Sequence, residues 1–280
     1  MDLSIIIVSW NVKDKLRRNL QALQSSAGNF TREIFVVDNN SADDSAAMVR
    51  QEFPAIRLIV NDKNLGFAAA NNQALRLANG RFLLLLNPDM QVAPDTLSQM
   101  LAWAQANPQA TVSGCQLVDE SGKIIKQVRR FPKFFDQLMV TLKVPHLFPH
   151  LVDNYLQPNF NYDSSARVDS IRGAFFLINR EAWQKIGGQD PPLLDERYFI
   201  WFEEVDFCRQ VYKLGGEVWY TPVARCLDYV GQSFKQVGLG QTQKYFSDSM
   251  LKYFKKWGKK WEYDILKLCW GMIKVLVRKK

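Results

Sequence analysis

Acidic residues stand at both ends of the segment Asp195–Asp206, with large apolar and aromatic side chains between them. A solvated run of charges would not contain so many buried-type residues, so we interpret the cluster as functional. Three of these acids fall in the first turn of a predicted helix, where the positive end of the helix dipole favours carboxylates. Such groups can accept a proton from a reacting hydroxyl, although capping of the helix is an alternative role for any one of them. The candidates are Glu203, Glu204 and Asp206.

A second candidate carboxylate follows the apolar run Phe82–Leu86 directly, in the sequence Asn87-Pro88-Asp89. A short unbroken apolar run bounded by turn residues is typical of a strand buried on both faces, and Pro88 ends its hydrogen-bonded ladder. Asp89 therefore stands just beyond the carboxyl end of a central strand, where open α/β sheets bind ligands. A carboxylate there is suited to hold a divalent cation against a diphosphate. A turn residue that caps the next helix is the alternative.

Buried-type strands alternate with helices of ordinary length through the first half of the chain, which predicts an α/β fold with a mostly parallel sheet flanked by helices. The polar ends of three strands then meet in one crevice: Ser9-Trp10-Asn11, Asp38 to Ser41 with Asn40 between them, and Asn87 to Asp89. This is the geometry of a nucleotide site. Neither a GxGxxG fingerprint nor a P-loop occurs, so a dinucleotide or triphosphate cradle is not supported.

The stretch Asn64-Leu65-Gly66-Phe67 opens another predicted helix, which extends to about Asn79. Gly66 is placed where backbone could approach a ligand. Asparagine is a poor residue inside a helix, so the consecutive pair Asn71 and Asn72 suggests ligand contacts. The alternative for this pair is a solvated helix face.

Composition and charge exclude several classes of protein. The 280 residues are 47% hydrophobic, and the four cysteines are scattered without a CxxC pair, which suits a reducing cytoplasm and argues against a zinc site. We find no signal peptide pattern and no long uncharged apolar run. The net charge of +8 resides in the tail, since residues 244–280 hold 11 Lys+Arg against three acids. A neutral body speaks against nucleic-acid binding, and a basic tail favours an anionic surface.

Four motifs in this order and spacing carry a family resemblance: IIIVSWN, VVDNNSADDS, NLGFAAANNQAL and LLLLNPDM. The chain from Leu3 to about Ser233 resembles family 2 glycosyltransferases, and within them the rhamnosyltransferase-like branch that builds bacterial surface polysaccharides. The resemblance implies a GT-A fold, a nucleoside-diphosphate sugar donor, Mg²⁺ or Mn²⁺, and inversion at the anomeric carbon. It also implies that Asp38 accepts a hydrogen bond from the donor's pyrimidine base. Asn87-Pro88-Asp89 stands where the family has its metal-binding DxD motif, with Asp89 as the ligand.

Two positions depart from the family pattern. The second member of its acidic pair, the catalytic base, is usually Asp, and here it is Glu204, with Asp206 and Glu203 in reserve. A metal-binding His often precedes a Gly-x-Ser motif, and here Asp228 occupies that place ahead of Gly231 and Ser233. A carboxylate is a competent oxygen ligand, so Asp228 is a candidate metal ligand. Arg172, at the entrance of the predicted strand in RGAFFLIN, faces either a diphosphate, an acceptor anion or a structural ion-pair partner.

The resemblance predicts transfer of a sugar to a lipid-linked or polysaccharide acceptor, with deoxythymidine-diphosphate rhamnose as the first donor to consider. A sugar nucleotidyltransferase would need a glycine-rich basic loop after its first strand, which SWNVKDK does not supply. A noncatalytic membrane-associated glycan- or nucleotide-sugar-binding protein is the alternative from another class. The retained sequence FEEVD argues against it.

We predict a glycosyltransferase domain over 1–240, with a nucleotide-sugar half (1–117) and an acceptor half (118–240). Phe131 to about Ser165 is expected to be an irregular loop over the acceptor, with His146 and His150 as surface residues. The segment 241–280 is predicted to be a basic amphipathic helical tail. Its polar residues from Asp264 onward form one narrow stripe and leave a wide apolar face. This pattern is typical of a helix in a membrane interface, here on the inner face of the cell membrane. Packing on the catalytic domain, or a contact in a homodimer, is the alternative.

Overall fold

The first half of the chain alternates strands with helices, as its sequence predicts. The computed structural model, which describes residues 1–229 and 237–278, has four mutually parallel strands in this half. The helix after Gly66 ends at Leu75 rather than near Asn79, because the chain tightens there into a turn in which Leu77 N donates to Ala74 O (2.9 Å). The elements are β1 (Leu3–Ser9), α1 (Lys13–Gln24), β2 (Arg32–Asp38), α2 (Ser45–Glu52), β3 (Arg57–Val60), α3 (Phe67–Leu75) and β4 (Phe82–Leu86).

The second half completes the sheet with strands of mixed direction. Its elements are β5 (Met90–Val92), α4 (Thr96–Ala106), β6 (Ala110–Val118), α5 (Phe134–Thr141), α6 (Asp153–Leu156), β7 (Ala166–Arg167), β8 (Phe175–Asn179), α7 (Arg180–Lys185), α8 (Glu203–Lys213) and β9 (Glu217–Asp228). The strand order is β3-β2-β1-β4-β8-β6-β9-β5, with β7 paired to β9. Strand β8 runs antiparallel between β4 and β6, whereas β9 is parallel to β6. The α/β sheet flanked by helices is confirmed, and its four mutually parallel strands lie in the first half of the chain.

Strand β1 is buried on both faces, as expected for the centre of such a sheet. Its residues alternate between two cores: Ile5 and Ile7 pack in one, and Ile6 and Val8 in the other. Burying large aliphatic side chains contributes about 1.5–3 kcal/mol each. The sheet is therefore a rigid platform, and the loops at the carboxyl ends of β1, β2 and β4 are fixed at one edge.

The segment from Phe131 to about Ser165 is more regular than its composition predicts. It contains α5 and α6, with two short 3-10 turns at 144–146 and 149–152. The proline and aromatic residues of this segment made its helices hard to predict from the sequence. Asp136 supports the start of α5 by accepting from Lys133 N at 2.9 Å, and Arg130 pairs with the same carboxylate. Both histidines are exposed, as predicted.

The tail forms two helices, α9 (Leu239–Trp257) and α10 (Lys260–Arg278). Met250, Tyr253 and Phe254 of α9 are buried in a third core with Tyr198 and Phe202. Helix α9 thus packs on the body of the protein, which is the alternative that its sequence left open. Helix α10 packs on α5 and α9 through Leu266 and Trp270.

Part of the wide apolar face of α10 is open to solvent. Ile265, Leu268 and Met272 follow one another at helical spacing and are 39%, 64% and 51% exposed. Among the described helices, none has the length and hydropathy needed to cross a membrane. We call these three residues the α10 stripe.

Candidate active site

A cavity of about 590 Å³ opens at the edge of the sheet where the parallel strands end. It is lined on one side by residues that follow β1, β2 and β4, and on the other by the acidic segment and the start of α9. Asp89, Arg172, Glu203 and Glu204 all line it, although they come from distant parts of the chain. The structure therefore brings the two candidate carboxylate groups into one cavity.

Five of the predicted donor-binding residues besides Arg172 line this cavity: Trp10, Asn64, Gly66, Phe67 and Asn87. Gly66 has φ +84°, and a Cβ atom built on it would lie 2.4 Å from Phe199 O. Phe67 N donates to that same carbonyl. Only glycine tolerates both the backbone angle and this close approach. The contact joins the start of α3 to the acidic segment.

The other residues at the ends of β1 and β2 build the loops around the cavity. Asn11 has φ 53°, donates its backbone N–H to Ser41 Oγ (3.0 Å) and accepts from Ala42 N through Oδ1 (2.7 Å). Asn40, with φ 66°, is exposed. These bonds tie the loop after β1 to the loop after β2.

Ser9 and Asp38 are buried behind this edge. Asp38 Oδ1 accepts from Ser41 N at 3.0 Å, whereas its Oδ2 has no hydrogen-bond partner within the described part of the chain. Ser9 Oγ is likewise buried without a partner among the described residues. Buried polar atoms normally have partners, so these two oxygens have unmet hydrogen-bonding capacity, although neither residue lines the cavity.

The predicted contacts of Asn71 and Asn72 are made within the protein. Asn72 Oδ1 accepts from Leu194 N (2.9 Å), and its Nδ2 donates to Glu196 Oε1 (3.0 Å). Asn71 Nδ2 donates to Phe67 O at 2.9 Å. Both asparagines are buried and outside the set that lines the cavity. Asn72 holds α3 against the segment around residue 194, whereas Asn71 bonds within its own helix.

Asp89 is fixed by the turn that ends β4. Asn87 O accepts from Met90 N (3.2 Å) and from the buried amide of Asn19 in α1 (2.8 Å). Asp89 O accepts from Tyr229 N at 3.2 Å, just after β9. The Asp89 side chain is 6% exposed and faces the cavity.

Asp228 is paired with Arg172. The Arg172 guanidinium donates to Asp228 Oδ2 at 2.7 Å, and the carboxylate is 1% exposed. Strand pairing sets Asp228 opposite Met90, next to Asp89 in the chain. Arg172 thus reaches the cavity and an ion pair at once, and Asp228 lies beside the turn that carries Asp89. The accompanying Gly231 and Ser233 are outside the described residues.

The acidic pair begins α8 directly after a strained turn. Trp201 and Phe202 have φ 62° and 69°, a conformation that bulky L-residues rarely adopt. Glu203 is 4% exposed, and its Oε2 and the Oε2 of Glu204 are shielded without a partner in the described chain. Gly173 packs close to Glu204: a Cβ atom there would be 3.5 Å from Glu204 Cβ. Strain of this kind is characteristic of functional sites.

Burial raises the pKa of both acids. For Glu203 the pKa is raised well above its ordinary value, first by loss of solvent and second by the charge of Glu204. Burial also raises the pKa of Glu204, while its own backbone N–H and the Arg172 guanidinium offset part of the increase. The two carboxyl groups titrate as a pair, and a base with a raised pKa binds a proton more readily.

Asp206 does not line the cavity. Its carboxylate, which is 0% exposed, accepts from Gln210, Lys256 and Trp257. On a helix, residues i and i+2 point in different directions, so Asp206 and Glu204 lie on different sides of α8. The structure thus separates Asp206 from the two acids that face the cavity.

Several lining residues were missed in the sequence. Asn39 lines the cavity and holds its loop by donating to Asn64 Oδ1 (2.9 Å) and accepting from Leu65 N (3.0 Å). The polar stretch after β2 was the signal for it. Phe199, Trp201 and Tyr245 form an aromatic wall of the cavity. The aromatic content of the acidic segment was the signal for the first two, whereas Tyr245 comes from α9.

A metal ion would have few protein ligands here. Within the described chain, no group of three or more His, Cys, Asp or Glu side chains is arranged to hold one. Mg²⁺ is commonly bound by one or two carboxylates together with substrate phosphates and waters. Asp89, with Asp228 beside it, fits that donor set.

The sequence model of the glycosyl transferase family 2 matches residues 4–161, which is more than half of the chain. The chain belongs to this family. It is a glycosyltransferase with the α/β fold described above.

Two relatives of this family 2 enzyme are rhamnosyltransferases by name. An N-acetylglucosaminyl-diphospho-decaprenol L-rhamnosyltransferase of Mycobacterium tuberculosis is 26% identical over 244 residues, which cover 82% of this chain and 77% of the relative. The rhamnosyltransferase WbbL of Escherichia coli is 25% identical over 235 residues, covering 80% and 82%. The family 2 enzyme is thus similar to rhamnosyltransferases over most of its length.

Solved structures share the fold at low identity. The mannosyltransferase PcManGT of Pyrobaculum calidifontis, in complex with GDP-Man and Mn²⁺, has a TM-score of 0.57 and 18% identity, and the match covers 91% of this chain and 63% of that one. Staphylococcus aureus TarS 1–349 with UDP has a TM-score of 0.56 and 13% identity, covering 91% and 72%. These likenesses identify the fold of the family 2 enzyme as GT-A.

Proposed function

We propose that the protein is an inverting, metal-dependent glycosyltransferase that moves a sugar from a nucleoside diphosphate to an acceptor hydroxyl. One observation carries the proposal: Asp89 and the acidic pair Glu203 and Glu204 line the same cavity. A transferase needs a charge-stabilising site for the leaving diphosphate and a base for the attacking hydroxyl, on opposite sides of one space. Carboxylates on separate surfaces could not serve it.

The donor would lie along the carboxyl ends of β1, β2 and β4. The unpartnered Oδ2 of Asp38 is a ready acceptor for an N–H group of the base. Trp10 and Phe67 offer apolar surface, while Asn64 and Asn87 offer hydrogen bonds. Gly66 leaves the backbone open to the ligand. These residues would orient the donor so that its sugar extends toward the acidic pair.

Asp89 would hold a divalent cation, with Asp228 as a second ligand. Such an ion, when bound, offsets negative charge that develops on the departing diphosphate. Arg172 already reaches the cavity from its ion pair with Asp228, at 2.7 Å, so it can contribute positive charge to the same group. Relatives of the fold were crystallised with Mn²⁺, which supports this assignment.

Glu204 is the proposed base. Its carboxylate would take the proton from the acceptor hydroxyl as the oxygen forms a bond to the anomeric carbon, while the bond from that carbon to the diphosphate oxygen breaks. A single displacement of this kind inverts the anomeric centre. Glu203 is more deeply buried, and the charge of Glu204 raises its pKa further, so Glu203 would hold a proton beside the base.

The donor and acceptor are proposed from the named relatives. A deoxythymidine-diphosphate rhamnose donor and a lipid-linked acceptor in bacterial surface glycan synthesis follow from the two rhamnosyltransferases and from a succinoglycan biosynthesis protein of Rhizobium meliloti, which is 29% identical over 57% of this chain. The 590 Å³ cavity has room for a nucleotide sugar.

A panel of nucleotide sugars tests the donor. A ligand that binds the folded state alone raises the melting temperature by mass action. We expect one deoxythymidine-diphosphate sugar to stabilise the protein with Mn²⁺ and to release nucleoside diphosphate when acceptor is added. Stabilisation by none of the panel, together with no release, would contradict the proposal.

We also propose that the α10 stripe lies against an anionic membrane surface, which would bring the cavity to a lipid-linked acceptor. Lys259, Lys260 and Lys267 are exposed beside it. Each basic side chain near an anionic leaflet is worth about 1 kcal/mol. An exposed apolar stripe flanked by lysines is the composition of an interfacial helix.

A further inference from the structure

The Asp206 carboxylate accepts four side-chain hydrogen bonds. Its Oδ2 accepts from Gln210 Nε2 and from Lys256 Nζ, both at 2.7 Å. Its Oδ1 accepts from Trp257 Nε1 at 2.6 Å and from Tyr198 OH at 3.3 Å. Lys256 and Trp257 belong to α9, so this buried carboxylate joins α9 to α8, the helix that begins with Glu203 and Glu204.

Other contacts reinforce the same junction. Lys256 also pairs with Asp195 at 3.0 Å, and Ser249 Oγ donates to Ile200 O at 2.8 Å. Burial alone would raise the pKa of Asp195, but hydrogen bonds from Arg197 and Lys256 outweigh it and hold the pKa well below its ordinary value. Helix α9 therefore contacts the acidic segment at both of its ends, Asp195 and Asp206.

Helix α9 also forms part of the cavity wall. The Tyr245 ring stacks on Phe199 with centroids 4.6 Å apart, and Tyr245 and Gln241 line the cavity. Phe199 O in turn accepts from Phe67 N on the donor side. Contacts thus run without interruption from α9 through the acidic segment to the start of α3.

The turn before Glu203 needs this support. Trp201 and Phe202, both bulky, hold positive φ angles of 62° and 69°. Such a conformation persists only where the surrounding structure imposes it. Phe202 packs against Tyr253 of α9, with ring centroids 5.5 Å apart. If the contacts of α9 with this turn were lost, the backbone of the turn could relax and the two acids that follow it would move.

We propose that Asp206 is a positioning residue, which fixes the orientation of Glu204 by fastening α8 to Lys256 and Trp257. Helix α9 is then a part of the catalytic unit, and the appendage begins with α10 after Gly258. The inference rests on the proposed function, since it concerns the aim of the proposed base. It assigns Asp206 no contact with the substrate, because its carboxylate is outside the cavity lining.

The test compares two variants of α9 in the full-length chain. Trp257→Phe replaces the indole by a smaller aromatic ring that cannot donate to Asp206, and Lys256→Met removes the ammonium group. A misplacement of about 1 Å can cost about 10²-fold in rate. We expect kcat to fall about 10- to 100-fold while the KM for the donor stays within about twofold, and Lys256→Arg to restore part of kcat.

The matched control is Lys244→Met on the same helix, whose ion pair with Asp248 at 2.9 Å is exposed. Its kcat should equal that of the wild type. A kcat for Trp257→Phe and Lys256→Met equal to that of this control would overturn the positioning role, provided that the wild type transfers sugar.

Amide hydrogen exchange over residues 199–206 supplies a readout that needs no activity. We expect faster exchange there in both variants, and no change in Lys244→Met. Unchanged exchange would overturn the inference even if the wild type proved inactive with every donor. Such inactivity with faster exchange would instead refute the proposed function and leave α9 as the support of this segment.

Discussion

On the donor side of the cavity, most polar side chains are hydrogen-bonded to neighbouring loops, whereas the acidic pair on the opposite wall retains shielded oxygens without partners in the described chain. Hydrogen bonds of Asn39, Asn11 and Ser41 connect the loops that follow β1, β2 and β3. The exceptions there are Ser9 Oγ and Asp38 Oδ2, and the second is the atom proposed to bind the donor's base. Glu203 and Glu204 instead sit after a strained turn with raised pKa values.

The difference distinguishes a wall that hydrogen bonds hold rigid from a wall whose carboxylates can bind a proton. A satisfied hydrogen-bond network gives a rigid binding surface. A buried carboxylate without partners destabilises the fold, and this is tolerated where the group must bind a proton. Substitutions on the two walls should therefore have opposite consequences for stability and rate.

The largest effect is expected for Glu204→Gln, which removes the proposed base and keeps its shape. Loss of a positioned general base lowers kcat by about 10²–10⁴-fold. Donor affinity, measured by calorimetry, should stay near that of the wild type. Glu120→Gln, at an exposed turn, is the control. Turnover in Glu204→Gln above a tenth of the wild-type rate would move the base to another residue.

The second-largest effect is expected on the affinity for the metal ion. In the presence of nucleoside diphosphate, Asp89→Asn and Asp228→Asn should each raise the Kd for Mn²⁺ at least about tenfold, about 1.4 kcal/mol. Both remove a negative oxygen ligand without changing side-chain size. Titration of the metal gives the answer for each position separately. An unchanged Kd in Asp228→Asn would remove that residue from the ligand set and leave its role as the partner of Arg172.

The contact between the walls can be broken at Gly66. Gly66→Ala would place a Cβ atom 2.4 Å from Phe199 O at a φ of +84°. Gly122→Ala is the matched control, with φ +80° and nothing within 4 Å of its added Cβ. Both variants suffer the backbone strain, so the difference between their free energies of unfolding reports the clash alone. We expect about 1–3 kcal/mol. Equal losses would mean that the two walls separate easily.

Glu203→Gln should stabilise the fold. Because the pKa of Glu203 is raised above 4.5 in the folded state, that state binds more protons than the unfolded chain, and stability falls as pH rises from about 4.5 through the folded-state pKa. Glutamine cannot ionise. The variant should therefore melt higher than the wild type by an amount that grows from pH 4 toward pH 7, about 2–4 °C per kcal/mol. A difference that shrinks with rising pH would contradict the buried pair.

A smaller effect, confined to membrane binding, is expected at the α10 stripe. The double variant Leu268→Gln and Met272→Gln should bind vesicles that contain anionic lipid at least about tenfold more weakly, since full burial of each apolar side chain is worth about 1.5–3 kcal/mol. Leu239→Gln, which alters an 89% exposed residue of α9, is the control. Donor affinity should not change in either. Equal vesicle binding by all three proteins would exclude the stripe as an anchor.

The donor wall could be predicted from the sequence because its signals are local. Continuous apolar runs followed by polar residues mark β1, β2 and β4, and these strands hydrogen-bond in parallel. The helical period also places Asp206 away from Glu204, a distinction that the acidic pattern alone obscured. The bond between Asn72 and Leu194 spans 122 residues, and no local pattern announces it.

The tail shows why the opposite wall was harder to predict. A basic amphipathic helix has the same sequence pattern whether it packs on protein or lies in a membrane interface. Helix α9 packs on the acidic segment because Tyr198 and Phe202 present a complementary apolar surface, which exists only after folding. The exposed face of α10 has the same amphipathic pattern, but within the described chain no apolar surface covers it.

The aromatic stack of Tyr245 on Phe199 has a consequence for synthesis of the chain. Because proteins fold from the N-terminus as they are made, the parallel strands can pair while α9 is still absent. Gln241 and Tyr245 of α9, which line the cavity, are translated more than 150 residues after β4 ends at Leu86. A nascent chain would therefore acquire its parallel strands early and its complete cavity only after α9 has been made.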